Sequence, residues 1–488
     1  MIDQAPSPSA ATRYERVAQR IAELIERGTL RPGERVPSVR RCSVQQDVSI
    51  ATVLQAYRVL ENRGLIEARP QSGYYVRAQR LAMPAEPAVS RPAARPVRVC
   101  VSDLVLEVVS AARRPGLIKL GTTLPNLELY PIRELNRTFA AVGRRSPVTS
   151  NAFDPPPGNI ALRQVVARRA LEAGCSLSPD DIIITTVGAT EALSLCLRAV
   201  ASPGDTVALE SPSFFGILQM IESLGLRACE IPTHPREGLC LDQLRKRLRS
   251  CRIKACVLSP NFSNPVGSLM SDERKRELVE LLSEREVPLI EDDIYGSLGF
   301  GSTRPKAAKA FDRDGWVLLC DSFTKTLSPG ARVGWVAPGR FRTRVEFLKY
   351  VSSSATATLP QMAIAEFLQN GSYDHHLRRI RRLYAAQMLK LVEAVGRGFP
   401  EGTRLTRPAG GMCLWVELPA DVDALTLYRQ ALAARIGIAP GPLFSAKQRF
   451  GNCIRLSFAN PWTAEIEQAV MHVGRLACQQ LADNSSGA

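Results

Sequence analysis

Lys325 stands among small hydroxyl residues in the stretch Asp321-Ser322-Phe323-Thr324-Lys325-Thr326-Leu327-Ser328-Pro329-Gly330-Ala331-Arg332. An apolar, strand-like run at 316–319 precedes it, and the Pro-Gly turn lies between the amine and an arginine seven positions on. A lysine presented from such a turn can form a Schiff base with an aldehyde cofactor, and a nearby arginine can neutralise that cofactor's phosphate. A lysine beside a Pro-Gly turn is by itself more often a surface residue. The chemical reading therefore requires partners elsewhere in the chain.

Five further places supply candidate partners. Gly188-Ala189-Thr190 lies between a strand-like and a helix-like run, where small residues let backbone amides and a threonine hydroxyl hold a phosphate at a helix start. Phe214 follows another strand and suits stacking on a flat ring, although a packed core phenylalanine explains it equally well. Asn264, in Asn264-Pro265-Val266-Gly267, offers an amide in a tight turn. Asp292 and Tyr295 sit three apart at a strand end, where a buried acid beside a pyridine nitrogen keeps that nitrogen protonated. Paired acids at a strand end are otherwise loop charges or metal ligands. Arg455 stands in a short apolar run, where a structural arginine in an edge strand is the ordinary reading.

In this order the motifs resemble fold-type I aminotransferases, whose lysine segment is written S-x-x-K-x-x-x-P-G-x-R-x-G-W. Ser322, Lys325, Pro329-Gly330, Arg332 and Gly334-Trp335 match it, and the resemblance extends over roughly 118–473. It implies pyridoxal 5'-phosphate as cofactor, bound covalently by Lys325. By the same resemblance Asp292 pairs with the ring nitrogen, Asn264 and Tyr295 contact the ring hydroxyl oxygen, and Phe214 stacks. Gly188, Ala189, Thr190, Ser322 and Arg332 form the phosphate site, and Arg455 binds the substrate carboxylate. Two residues depart from the pattern: Ala189 replaces a frequent serine, and Phe153 stands where many aminotransferases have a tyrosine reaching into the neighbouring subunit.

The elements that must position these residues read as an α/β sheet with mainly parallel strands. Strand-like runs at 182–185, 207–210, 255–258 and 288–291 alternate with helical stretches beginning at Thr190 and Asp272. Each motif follows such a strand, the place where open α/β sheets bind ligands.

A different organisation precedes this region. Val17, Ile21, Leu24 and Ile25 share one face of a helix expected over 12–28; Ser38 can cap a second helix and Ser49 a third carrying Val53, Tyr57 and Leu60 inward to Gly64. Strands expected at 65–68 and 73–76 flank the turn at 70–73, completing a winged helix-turn-helix. The segment resembles the GntR-type domain through Pro32-Gly33, Arg35, Pro37-Ser38, Arg40, Ser49, Thr52-Val53, Ala56-Tyr57, Leu60, Gly64-Leu65-Ile66 and Gly73, with Arg41-Cys42 departing from the usual apolar pair. Arg35 and Arg40 are then candidates for phosphates or base edges, Ser38, Ser49 and Thr52 for the helix starts at DNA, and Gly73 for the wing.

The expected division is a DNA-binding domain over 10–78, an Ala/Pro/Arg-rich extended linker over 79–99, and an aminotransferase-like domain over 100–482. Lysine and arginine number 63 against 47 acidic residues, a net charge of +16 that favours an acidic partner such as nucleic acid. The 12 cysteines form no Cys-x-x-Cys pair or Cys/His cluster, which points to reduced thiols, no metal site and a cytoplasmic location. No apolar run approaches the roughly 18 residues that span a membrane.

The joined order resembles the MocR subgroup of GntR-type bacterial regulators. It implies a homodimer that binds a double-stranded DNA operator and uses pyridoxal phosphate, or a small amino compound, as effector. An active amino-acid aminotransferase with an attached DNA-binding domain is the alternative, because Lys325, Asp292 and Arg455 are all present.

Overall fold

A computed structural model describes residues 12–486 apart from 27–28, 32, 63–64, 70–71, 77–83, 94 and 186–187. Gly28, Pro32, Gly64, part of the wing turn, the start of the expected linker and residues 10–11 lie outside the described residues. The chain divides into two compact units, Met1–Met83 and Pro84–Ala488.

In the first unit, helix α1 (Arg13–Glu26) turns Val17, Ala18, Ile21 and Ala22 inward. Ser38 caps α2 (Val39–Gln46), its Oγ accepting from the Arg41 amide at 3.3 Å. Asp47 ends that helix in the left-handed region at φ 50°, and the Ser43 hydroxyl donates to the Val48 carbonyl at 2.5 Å, fixing the turn into α3 (Ile50–Asn62). Ser49 caps α3 by accepting from the Thr52 amide at 3.2 Å. The helix buries Val53, Ala56, Tyr57 and Leu60, and the Tyr57 hydroxyl donates to the Pro37 carbonyl at 2.6 Å. A fully buried side chain of this kind contributes about 1.5–3 kcal/mol. Cys42 is buried in the same core, where a thiol packs as a small hydrophobe, so its departure from the apolar pattern leaves the packing intact. Strands β1 (Ile66–Arg69) and β2 (Gly73–Val76) pair antiparallel, with Arg69 opposite Gly73.

The second unit is built on a sheet whose strands run in the order Val97–Arg98, Arg227–His234, Thr206–Ser211, Ile253–Leu258, Leu289–Asp292, Val317–Ser322, Gly334–Ala337, Ile183–Thr185. The pairings from Arg227–His234 to Val317–Ser322 are parallel, and Gly334–Ala337 is antiparallel to both of its neighbours. These strands are buried, and helices such as Ala189–Val200 and Asp272–Ser283 cover the sheet, as parallel strands require. A smaller antiparallel sheet follows, in the order Arg404–Leu405, Cys413–Glu417, Cys453–Ser457, Ala439–Pro440.

The proline-rich stretch is extended, but its described part is not a free linker out to residue 99. From Pro84 it is fastened to the second unit. The Pro84 carbonyl accepts from Arg407 at 3.0 Å, the Ala85 carbonyl from the Leu405 amide at 2.9 Å, and Val97–Arg98 joins the edge of the large sheet. The physical reason is that an extended backbone leaves its polar groups unpaired, and a sheet edge supplies partners. Among the described residues, no helix is long and apolar enough to cross a membrane.

Candidate functional site

The carboxyl ends of the strands gather the motifs around a cavity of about 240 Å³, whose lining includes Ala189, Thr190, Phe214, Asn264, Asp292, Tyr295, Thr324, Lys325 and Arg332. Gly188 adopts φ +64° at the start of the helix Ala189–Val200, where no side-chain cap bond closes the helix. A Cβ on Gly188 would come 3.1 Å from Thr324 Oγ1, 3.5 Å from Ser322 Cβ and 3.7 Å from an Arg332 guanidinium nitrogen, so these groups converge on one cup. Gly334 is equally constrained, because a Cβ there would lie 2.4 Å from the Gly188 carbonyl carbon. Arg332 takes a left-handed backbone, φ 54°, and its guanidinium donates to the Pro329 carbonyl at 3.2 Å. The cup thus combines a helix start, hydroxyls and a guanidinium, groups suited to an anion.

Opposite the cup, the Lys325 amine donates to the Thr123 carbonyl at 2.9 Å. Burial, and then the charge of Arg455, lowers the Lys325 pKa to about 8, while Asp292 opposes the shift. Burial pushes the Asp292 carboxyl up to about 7 against the hydrogen bond from the Ile294 amide. Burial also raises the Tyr295 phenol. Asn264 donates to the Tyr295 hydroxyl at 3.4 Å, and its Oδ1 accepts from Arg455 at 2.8 Å. Arg455 itself is 2% exposed; it also donates to the Gly121 carbonyl, and its Nε has no hydrogen-bond partner among the described residues. A buried guanidinium with an unused donor is suited to a carboxylate.

Three sequence candidates for this site are not among the cavity-lining residues: Gly188, at the helix start, Ser322 and Arg455. Ser322 is buried beside Gly188, and its Oγ accepts from the Thr324 amide at 3.3 Å. Thr324 lines the cavity instead. Arg455 lies behind Asn264 on the smaller sheet. Sequence reading missed Thr123 and Tyr130, whose hydroxyl donates to the Lys325 carbonyl at 2.9 Å, and His376, which meets the Thr326 carbonyl at 3.0 Å. These contacts span 50 to 202 residues and leave no local pattern. Phe153 is 67% exposed. No group of three or more metal-ligating side chains occurs among the described residues.

The first unit holds the second set of candidates. Arg35 is exposed; its backbone bridges to Tyr75, and its guanidinium passes so close to Gly73 that a Cβ there would lie 3.2 Å away. Gly73 has φ +105°, a backbone conformation that favours glycine, whereas the exposed Arg35 side chain is free to give way. Arg40 is exposed in the first turn of α2. Ser38 and Ser49 spend their oxygens on caps, and the Thr52 hydroxyl lies 2.8 Å from that of Ser49, so all three act first on helix geometry. The exposed face of α3 carries Ala51, Leu54, Gln55 and Arg58. Gln55 and Arg58 were not among the sequence candidates, although they lie opposite the inward Val53, Tyr57 and Leu60 at helical spacing. In the wing, Arg69 lies 4.4 Å over the Tyr75 ring.

Comparison with known proteins supports both halves. The family model for aminotransferase class I and II matches residues 126–473, and that for bacterial regulatory proteins of the gntR family matches 13–76. The HTH-type transcriptional regulator YjiR of Escherichia coli is 40% identical over 95% of this chain and 98% of its own. The 2-aminoadipate transaminase of Thermus thermophilus is 32% identical over 77% of this chain and 93% of its own. The crystal structure of LysN, an alpha-aminoadipate aminotransferase of Thermus thermophilus complexed with N-(5'-phosphopyridoxyl)-L-leucine, superposes with a TM-score of 0.71 at 30% identity, covering 78% of this chain and 95% of that one. With full-length similarity to a regulator and domain-length similarity to aminotransferases, the chain belongs to the MocR subgroup of GntR-type transcription regulators, in which a winged helix-turn-helix is joined to a fold-type I aminotransferase domain.

Proposed function

We propose that this chain is a DNA-binding transcription regulator whose large unit holds pyridoxal phosphate and senses it, or a small amino compound reacting with it. The observation that carries the reading is the convergence of a buried lysine amine, a buried acid and an anion cup on one cavity, in a chain that also contains a winged helix-turn-helix. When bound, pyridoxal phosphate supplies an aldehyde for covalent capture of amines and an electron-withdrawing ring. The chain's own residues do the rest. Gly188, Ala189, Thr190, Thr324 and Arg332 hold the phosphate, with Ser322 supporting the cup from behind. Asp292 holds a proton at the ring nitrogen, Tyr295 and Asn264 orient the ring hydroxyl oxygen, and Phe214 excludes water from one ring face. Lys325, whose pKa burial lowers to about 8 so that its amine gives up its proton more readily than a free lysine, is the nucleophile. Arg455 receives the carboxylate of an amino-acid ligand.

On DNA, Arg35 and Arg40 meet phosphates or base edges, Arg58 and Gln55 face the major groove, and Ser38, Ser49 and Thr52 set the helix starts. The functional assembly is a homodimer in which the exposed Phe153 lies at the subunit boundary. Footprinting of the full chain with and without pyridoxal phosphate tests this. A discrete protected site whose occupancy changes with the cofactor is expected. An active aminotransferase is favoured by the joint retention of Lys325, Asp292 and Arg455, and steady multiple turnover of amino-acid and keto-acid pairs without any specific DNA site would establish it instead.

A further inference from the structure

The strap that begins at Pro84 is the direct continuation of the DNA-binding unit, and it grips the second unit at a buried polar cluster beside the ligand cavity. Ser90 Oγ donates to the Ser211 carbonyl at 2.5 Å and accepts from the Thr233 amide at 2.9 Å; the Thr233 hydroxyl in turn accepts from the Ser211 amide at 3.0 Å. Ser211 ends the strand that leads, three residues later, to Phe214 on the cavity wall. The Ser211 hydroxyl donates to Glu230 at 3.3 Å, and the other oxygen of Glu230 accepts from Ser445 at 3.3 Å. Ser445 follows Phe444, whose ring lies 4.9 Å from the Arg455 guanidinium and whose carbonyl accepts from the Ser213 amide at 2.9 Å. Ser211, Glu230 and Ser445 are each 3% exposed or less.

Two chains of contacts therefore lead from the cavity to the strap: one from the wall residue Phe214 through Ser211, the other from the wall residue Asn264 through Arg455 behind it, Phe444, Ser445 and Glu230. A buried, fully paired polar cluster resists piecemeal rearrangement, because losing one partner leaves another unsatisfied. Movement of Phe214 or Phe444 on ligand binding must either be absorbed there or be passed to Ser90. We infer that the Ser211–Glu230–Ser445 cluster couples occupancy of the cavity to the strap through Ser90, making Ser90 a positioning residue for the segment that leaves the DNA-binding unit. This rests on the proposed binding of pyridoxal phosphate at Lys325.

Hydrogen exchange on the full chain, with and without pyridoxal phosphate, tests it by following peptides that cover 84–93, alongside borohydride reduction to score the adduct at Lys325. In the wild type, loading slows exchange of the strap on the order of twofold or more. Ser90→Ala abolishes that response while the Lys325 adduct still forms, and Ser90→Thr, which keeps the hydroxyl, restores it. Adduct formation with no strap response in the wild type, or with the same response in Ser90→Ala, overturns the coupling and leaves the cofactor reading standing. Absence of the adduct in the wild type overturns both.

Discussion

The two units handle charge in opposite ways. In the winged helix the arginines proposed to meet DNA, Arg35, Arg40 and Arg58, stay in water on an exposed surface, and the core beneath them is apolar apart from Tyr57 and Cys42. In the aminotransferase unit the charges proposed to act on cofactor and ligand, Asp292, Lys325 and Arg455, are taken out of water, and burial is the largest cause of each of their pKa shifts. A solvated arginine acts at a distance that salt controls, whereas a desolvated amine or acid acts at contact and is tuned by its neighbours. One chain thus joins an exposed basic surface to a cavity with buried charges.

The contrast can be broken first at the cores. Leu60 is fully buried, so Leu60→Ala costs the small unit about 2–5 kcal/mol. Thermal unfolding should show the small unit melting earlier while the Lys325 adduct still forms, and loss of both together would contradict independent units. Next comes Asp292→Asn, expected to weaken cofactor retention by roughly 10- to 100-fold through loss of the ring-nitrogen partner. Without cofactor its sign reverses. A carboxyl raised from 3.8 to about 7 holds its proton more tightly in the folded state, so its stabilising contribution is present below pH 3.8 and lost as pH rises toward 7. Cofactor-free Asp292→Asn should therefore exceed the wild type in stability above pH 7, an advantage that shrinks on acidification, and urea titrations across pH check this.

Lys325 sharpens the same point. Its lowered pKa makes the nucleophilic, neutral amine dominant above about 8, so the rate of pyridoxal phosphate capture should rise with pH and level off there. A rate still climbing toward pH 10 would place the amine in water. On the DNA side, Arg35→Ala should reduce the slope of log affinity against log salt by about 0.9, the value for one lost phosphate contact. The smallest effect belongs to Ser38→Ala, which removes the α2 cap and should lower small-unit stability by about 1 kcal/mol in denaturant titrations.

What could be read from sequence followed how local each feature is. The Lys325 segment, the strand–motif order and the three helices were legible because strand ends, Pro-Gly turns and i, i+4 spacing are short-range. Strand and helix limits shifted by a residue or two, as with Ile66–Arg69 for the run expected at 65–68. The pairing of Asn264 with Arg455 spans 191 residues and could be suspected only through resemblance. Proline content revealed that residues from 84 on are extended, but not that Ser90 is tied to Ser211, since backbone partners of an extended segment carry no sequence signature. Ser38 and Ser49 were legible as helix caps, because a cap is as local as the helix start it closes, and their oxygens make those caps.

The joining of cofactor chemistry to DNA reading depends on Lys325 being the covalent anchor. Borohydride reduction of the full chain loaded with pyridoxal phosphate, followed by peptide mass spectrometry, measures this directly. A pyridoxyl mass on the peptide containing Lys325, absent from Lys325→Ala, is the predicted result. An unmodified Lys325, or an adduct confined to surface lysines, would contradict it.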